Sequence, residues 1–145
     1  MPDFSPFALA ATALAATLVG IMLFFAAIVT PAVFRTLERP EAGQVVRALF
    51  PKYYVLGALL AAAAAVLAGV DCALIATALL AGVAGLFVLE RLVLLPMIDR
   101  HRAGRASGEP AATRKFGALH RASVFLNMGQ LLATIAAAVM LAARS

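Results

Sequence analysis

Two apolar stretches, VLGALLAAAAAVLAGV at residues 55–70 and CALIATALLAGVAGLFVL at residues 72–89, decide the fold of this chain. Only Asp71 separates them, and their apolar character begins near Lys52 and continues to Leu95. A helix needs about 20 residues to cross the hydrocarbon core of a bilayer, and each extended stretch is long enough. Because so few residues connect the two stretches, we predict a tight antiparallel hairpin.

Two further apolar segments flank this hairpin. The first, residues 7–29, is longer than the core of about 7–15 residues in a secretory signal, so we expect it to remain as a helix. The last becomes continuously apolar over residues 124–143. The sequence therefore predicts one all-α domain over residues 1–145, an integral membrane four-helix bundle with up-down topology. Its spans are expected at about residues 7–30, 52–70, 72–96 and 118–143.

The composition agrees with lipid as the solvent. The chain is 64% hydrophobic and 13% charged, whereas soluble domains are about 25% charged. The net charge of +5 does not indicate nucleic acid, because the basic residues lie beside apolar segments. The expected partners are the lipid bilayer and its anionic headgroups, and self-association is left open. Cys72 is the single cysteine, which excludes an internal disulfide and a multi-cysteine metal site.

Prolines mark the polar junctions between spans. Pro31 indicates where the first helix bends or leaves the membrane, and Pro96 is expected to end the third helix, followed by a mobile polar loop through Pro110. Apolar residues at helical spacing in the first loop predict a short interfacial helix before Pro51, which would open the second span. Its apolar face comprises Ala42, Val45, Val46, Leu49 and Phe50.

Basic residues are distributed very unevenly. Only Arg144 lies on the side of the hairpin turn and the termini. The positive-inside rule therefore places the first and third loops in the cytoplasm and both termini outside a bacterial-type inner membrane. The basic residues in or beside these loops are Arg35, Arg39, Arg47, Lys52, Arg100, Arg102, Arg105, Arg114, Lys115 and Arg121.

Small residues recur at four-residue spacing in the hairpin helices. Ala61, Ala65 and Gly69 follow this spacing in the second span, and Ala81 and Gly85 follow it in the third. Such spacing lets helix backbones approach closely in lipid, although a generic Ala-rich helix explains any single pair equally well. Together these residues predict a tightly packed bundle.

Glu90 and Arg91 are charged residues within an apolar segment. They precede Pro96 by six and five residues, which places them roughly 7–9 Å inside the predicted helix end. Charges at that depth are costly and usually functional. Adjacent helical positions point about 100° apart, so each needs its own partner or must extend to the headgroups. A third helix that projects further into the cytoplasm is the alternative, and it would leave both charges near headgroups.

The fourth helix carries His120, Ser123 and Asn127 on one face, at i, i+3 and i+7 spacing. Asn127 lies six residues inward of Arg121, or about 9 Å, which matches the depth of Glu90. We therefore expect Asn127, rather than His120, to approach Glu90 or Arg91, while His120 faces Arg35, Tyr53 or Tyr54. The candidate polar cluster comprises Arg35, Tyr53, Tyr54, Glu90, Arg91, His120, Ser123 and Asn127.

Several strings resemble the transmembrane protein 205-like family. They are GIMLFF at residues 20–25, PAVFR at 31–35, FPKYY at 50–54, and HRASVFLN at 120–127. This resemblance spans nearly the whole chain and implies a four-helix membrane domain of unsettled function. A looser similarity to membrane domains of copper-resistance proteins and of a four-helix haem-pathway oxidase makes His120 a weak candidate cofactor contact.

The favoured interpretation is a non-enzymatic multi-pass membrane protein without a cofactor, whose polar cluster lies toward the cytoplasm. It would be either a passage component for a small solute or metal ion or an assembly partner. The residues form no phosphate-binding glycine loop, nucleophile elbow or zinc signature, so we predict no catalytic or metal site. The alternative is a redox membrane protein that binds haem or a metal through His120, although one imidazole is a weak signal.

The uneven basic charge gives a testable orientation. With Cys72 replaced by Ser, a thiol reagent that cannot cross membranes should label Asp3→Cys from outside whole cells and should not label Ser107→Cys. Strong labelling at residue 107 with none at residue 3 would contradict the predicted topology.

Overall fold

A computed structural model describes residues 5–144, which fold into four long helices. These helices are α1 (Pro6–Thr36), α2 (Arg39–Val70), α3 (Leu74–Ala106) and α4 (Pro110–Ala142). Each is long and apolar enough to cross a membrane, and the described residues contain no strand. The predicted all-α four-helix architecture is confirmed. Asp3, the labelling position near the N-terminus, lies outside the described residues.

The helices pack around the bundle in chain order. Helix α1 contacts α2 and α4, and α3 contacts the same two helices from the opposite side. The predicted tight hairpin joins α2 to α3, where the backbone N–H of Ala73 donates to the carbonyl of Ala68 over 2.9 Å. We call the end with this turn and with residues 5 and 144 the hairpin end, and the end with the other two connections the basic end.

Pro31 and Pro96 both lie inside continuous helices. Each follows a π-helical turn, Phe25–Val29 in α1 and Glu90–Leu94 in α3. A proline lacks the N–H of a regular helix and its ring crowds the carbonyl four residues earlier, and a wide π turn relieves both problems. The prediction that Pro96 ends the third helix is therefore wrong, since α3 continues to Ala106 and leaves a connection of residues 107–109 instead of a long mobile loop.

The predicted interfacial helix is not a separate element. Residues 41–50 are helical, but they form the first turns of α2, which continues through Pro51. Ala42 and Val46 are buried, and Arg47 forms an ion pair with Asp99 of α3 over 3.3 Å. These contacts favour keeping the segment in line with α2, against the cost of an interior proline of about 3 kcal/mol.

The bundle interior changes character along its length. Near the hairpin end it consists of small and aliphatic side chains, and toward the basic end it becomes aromatic. Ala61 and Ala65 are buried, as their spacing predicted, but Ala81 and Gly85 are exposed and do not contribute to packing within the bundle. The buried residues of the first layer are Ala11, Ala15, Ala64, Ala65, Ala68, Ala73, Ala76, Leu80, Ala137 and Leu141.

Asp71 fastens the hairpin end. It accepts a hydrogen bond from the Ser5 hydroxyl, and its Oδ2 atom lies 3.1 Å from Nε of Arg144. The hydrogen bond from Ser5, followed by that from Arg144, lowers the pKa of the Asp71 carboxyl below its usual value. The carboxylate therefore joins both ends of the described chain to the α2–α3 turn.

Close packing of α2 against α3 gives a prediction at Gly57. A Cβ atom there would lie 2.7 Å from the ring of Phe87, which is fully buried. Gly57→Ala should therefore lower the free energy of unfolding by about 1–3 kcal/mol, measured by thermal unfolding in detergent. The matched control is Gly85→Ala, whose Cβ would meet no atom within 4 Å and which should be neutral or stabilising. Equal destabilisation by both variants would contradict this packing.

Candidate functional site

A stripe of polar side chains on α4 faces the bundle interior. Ser123, Gln130 and Thr134 are buried, and Asn127 is half-buried between them. The successive spacings of four, three and four residues keep these side chains on one face of the helix. The polar stripe, as we call these four residues, extends over about 11 residues, or roughly 16 Å of helix.

Glu90 lies opposite this stripe on α3, at the first position of the π turn. Its side chain is 0% exposed, and its Oε1 atom accepts a hydrogen bond from the Asn127 amide over 2.9 Å. The contact predicted from depth along the two helices is therefore present. An amide is well suited to this position because it can donate to a carboxylate and accept from another group simultaneously.

Two tyrosines from α2 complete the cluster. The Tyr53 hydroxyl donates to Oδ1 of Asn127 over 2.9 Å, and the Tyr54 hydroxyl lies 3.2 Å from the Ser123 hydroxyl. Asn127 thus connects Tyr53 of α2 to Glu90 of α3, and its amide also lies 3.2 Å from the Ser123 carbonyl. Three of the four helices therefore contribute hydrogen-bonding groups to one buried site.

Aromatic rings border the site on its other faces. Phe25 from α1 stacks on Tyr53 with ring centroids 4.7 Å apart, and Phe50 stacks on Tyr54 at 5.6 Å. Phe87 meets Tyr53 edge to face at 5.7 Å. These rings fix the directions in which the two tyrosine hydroxyls point and shield the polar groups from lipid.

Some polar atoms in the site have no hydrogen-bond partner within residues 5–144. They are Oε2 of Glu90 and both side-chain amide atoms of Gln130. The Gln130 amide and the Ser123 hydroxyl nevertheless lie near enough to the Glu90 carboxyl for weak hydrogen bonds of long or poorly aligned geometry. A buried polar atom without a partner costs about 1–3 kcal/mol, so this side of Glu90 can gain free energy by binding a small polar species.

Three residues of the predicted cluster do not join the site. Arg35 is exposed on α1, and Arg91 lies beside Lys52 in a groove on the outer surface. His120 is exposed and stacks on Phe116 with ring centroids 6.3 Å apart, so the expectation that it faces Tyr53 or Tyr54 is wrong. A ring four residues earlier on the same helix gives the imidazole a partner at the bundle surface.

Gln130 and Thr134 were missed in the sequence. Both continue the helical spacing of Ser123 and Asn127 by steps of three and four residues, and this regularity is the signal that places them on the same face. They stand inside a continuous apolar run, where uncharged polar residues are less conspicuous than Glu90. The Thr134 hydroxyl donates to the carbonyl of Gln130 over 2.7 Å, which satisfies the threonine within its own helix.

The site lies inside the membrane-length part of the bundle, toward the basic end. Glu90 follows Leu74, the first residue of α3, by about 16 residues, or roughly 24 Å of helix. A hydrocarbon core about 30 Å thick that starts near the hairpin would still enclose Glu90. With the core placed in this way, the backbone of Glu90 would lie about 6 Å inside the boundary at the basic end, by the same rise per residue.

One family model matches this chain. It is described as Domain of unknown function (DUF4149), and the match covers residues 13–107. This range includes Tyr53, Tyr54 and Glu90, whereas the polar stripe of α4 lies after it. No curated protein matches the chain, and no solved structure matches it.

The hydrogen bonds of Asn127 predict an unequal effect of two substitutions on α4. Asn127→Leu leaves Glu90 and Tyr53 without their partner and should lower the free energy of unfolding by about 1–3 kcal/mol. His120→Leu removes an exposed ring and should change it by no more than about 0.5 kcal/mol. Thermal unfolding in detergent measures both. Equal destabilisation would contradict the central position of Asn127.

Proposed function

The chain belongs to the DUF4149 domain family, whose function is unknown, and we propose from its own site that it is a membrane passage component in which Glu90 binds and releases a proton. The observation that carries this proposal is a fully buried carboxyl group with one oxygen atom lacking a hydrogen-bond partner in residues 5–144. An ionisable side chain held inside a membrane bundle is costly and usually serves function.

The surroundings of Glu90 favour a proton over a larger cation. A carboxylate in a region of low dielectric loses several kcal/mol of hydration, and no ion pair within the described residues compensates Glu90. A divalent metal prefers several converging ligands, and no three His, Cys, Asp or Glu residues converge in residues 5–144. A proton neutralises the carboxylate without additional ligands.

The neighbours of Glu90 suit a group that changes its protonation state. The amides of Asn127 and Gln130 carry both donors and acceptors, so they can partner an ionised carboxylate and a carboxylic acid. Tyr53 and Tyr54 hold this arrangement through Asn127 and Ser123. The π turn at Glu90–Leu94 adds support, because such turns occur frequently at functional sites.

The polar path does not cross the bundle. It runs from Tyr54 and Ser123 along the polar stripe to Thr134, beyond which buried Leu80, Ala137 and Leu141 close the interior at the hairpin end. Buried Leu95 and Ile98 lie between the site and the basic end, so passage requires an apolar layer to open on either side. We propose that the basic end faces the cytoplasm of a bacterial-type inner membrane, so that Glu90 exchanges protons with that side.

The resemblance to the transmembrane protein 205-like family remains part of the proposal. The strings FPKYY and HRASVFLN supply Tyr53, Tyr54, Ser123 and Asn127, so the residues that carry the resemblance meet in one site. Haem or metal binding through His120 has less support, because the ring stacks on Phe116 at the surface. A Soret band in the absorbance spectrum of the purified protein would favour that alternative.

Proton passage can be measured in proteoliposomes that contain a pH-sensitive dye. Wild-type protein should dissipate an imposed pH gradient faster than protein-free vesicles do. Glu90→Gln should slow this protein-dependent rate by about a hundredfold, which is the lower end of the range expected when a proton-transfer group is lost. Glutamine keeps the size and hydrogen-bonding capacity of the side chain but cannot carry the proton.

The matched control is Glu41→Gln, which removes an exposed carboxylate at the basic end. It should leave the rate unchanged. Two outcomes would contradict proton passage: a wild-type rate equal to that of empty vesicles, or equal rates for wild type and Glu90→Gln. The first of these would favour the assembly-partner interpretation.

A further inference from the structure

A groove runs along the outer surface between α2 and α3, on a different face of α3 from the buried Glu90. Its volume is about 430 Å³. It is polar at one end, where Lys52 and Arg91 lie, and apolar along the rest of its length. The lining residues are Pro51, Lys52, Val55, Leu56, Leu59 and Arg91.

The two cations of the groove are uncompensated. Neither Lys52 nor Arg91 forms an ion pair within residues 5–144, and the groove lining contains no acidic residue. Glu90, the neighbour of Arg91 in sequence, points into the bundle and bonds to Asn127. The groove therefore presents two positive charges with room for an anion between or above them.

The depth of these cations matches the membrane boundary. Lys52 precedes Val70, the end of α2, by about 18 residues, or roughly 27 Å. Arg91 follows Leu74 by about 17 residues, or roughly 26 Å. With a hydrocarbon core about 30 Å thick, both side chains can reach the level of the lipid phosphates at the basic end.

The apolar part of the groove extends from that level toward the bilayer centre. Val55, Leu56 and Leu59 are 48%, 44% and 64% exposed. They follow Lys52 at helical spacing and form a continuous apolar floor beneath the two cations. An acyl chain of a lipid whose headgroup lies at the cations would run along this floor.

We propose that the groove is a binding site for one anionic phospholipid of the surrounding leaflet. The phosphate lies between the Lys52 ammonium and the Arg91 guanidinium, which can form paired hydrogen bonds with phosphate oxygens. One acyl chain packs on Val55, Leu56 and Leu59. The apolar floor adjoining the charges selects a lipid rather than free phosphate, and the site does not depend on proton passage by Glu90.

The absence of tryptophan from the chain allows a direct test. Leu56→Trp places a single fluorophore in the groove, and Met128→Trp places one on exposed α4 at the same number of residues from the hairpin end. Each protein is reconstituted in bilayers that contain brominated phosphatidylglycerol or brominated phosphatidylcholine. Quenching by bromine then reports which lipid contacts the fluorophore.

The preference for phosphatidylglycerol over phosphatidylcholine should be about fivefold or more greater at the Leu56→Trp reporter than at the Met128→Trp reporter. One basic residue near a membrane surface contributes about that factor. Adding Lys52→Gln and Arg91→Gln should abolish the preference. Adding Arg114→Gln and Arg121→Gln removes the same charge from the basic end and should preserve it.

Equal preference at the two reporters in the otherwise unchanged protein would overturn the site without any charge variant. Loss of the preference with the Arg114 and Arg121 changes would overturn it as well, because overall charge would then explain the attraction. Displacement of the lipid by inorganic phosphate would assign the charges to a soluble anion and would also overturn the proposal.

Discussion

The buried carboxyl group of Glu90 constrains the positions of the helices around it. Asn127 must lie at the same depth on α4 to donate to Oε1, and Tyr53 must extend from α2 to hold the Asn127 amide in place. The hydrogen bonds available within a membrane are individually weak, at about 0.6–2 kcal/mol. Leaving the carboxyl without any partner would cost more, so the site links three helices in one register.

The interior of the bundle is packed differently at its two ends. At the hairpin end, alanines allow close approach of the helices, and Asp71 joins Ser5 and Arg144 across the turn. Toward the basic end, large aromatic rings fill the wider space around the polar site. This difference places the polar site around Glu90 in the aromatic half of the bundle and leaves the other half apolar.

Hydropathy and depth predicted much of this arrangement from the sequence. The apolar runs identified four helices, and the rise per residue placed Asn127 level with Glu90. Helix ends predicted from the local sequence were wrong where contacts between helices determined the structure. Pro96 lies inside α3 because the π turn before it accommodates the ring, and residues 41–50 continue α2 because Arg47 and Val46 contact the bundle.

The sequence was less informative about which polar side chains of α4 are buried. Helical spacing alone placed His120 on the face of Asn127, but stacking on Phe116 keeps the imidazole at the surface. Gln130 and Thr134 escaped notice because uncharged polar residues do not interrupt an apolar run. Spacing identifies a face of a helix, whereas the neighbouring helices determine which members of that face are buried.

The proposed passage requires the Glu90 carboxyl to change its protonation state within the bundle. Infrared difference spectroscopy on reconstituted protein, recorded between acidic and alkaline buffers, detects the carbonyl stretching band of a carboxylic acid directly. We expect a band that is present in wild-type protein, retained in Glu41→Gln and missing from Glu90→Gln. Identical difference spectra for wild type and Glu90→Gln would contradict it, because no titrating proton would then belong to the buried site.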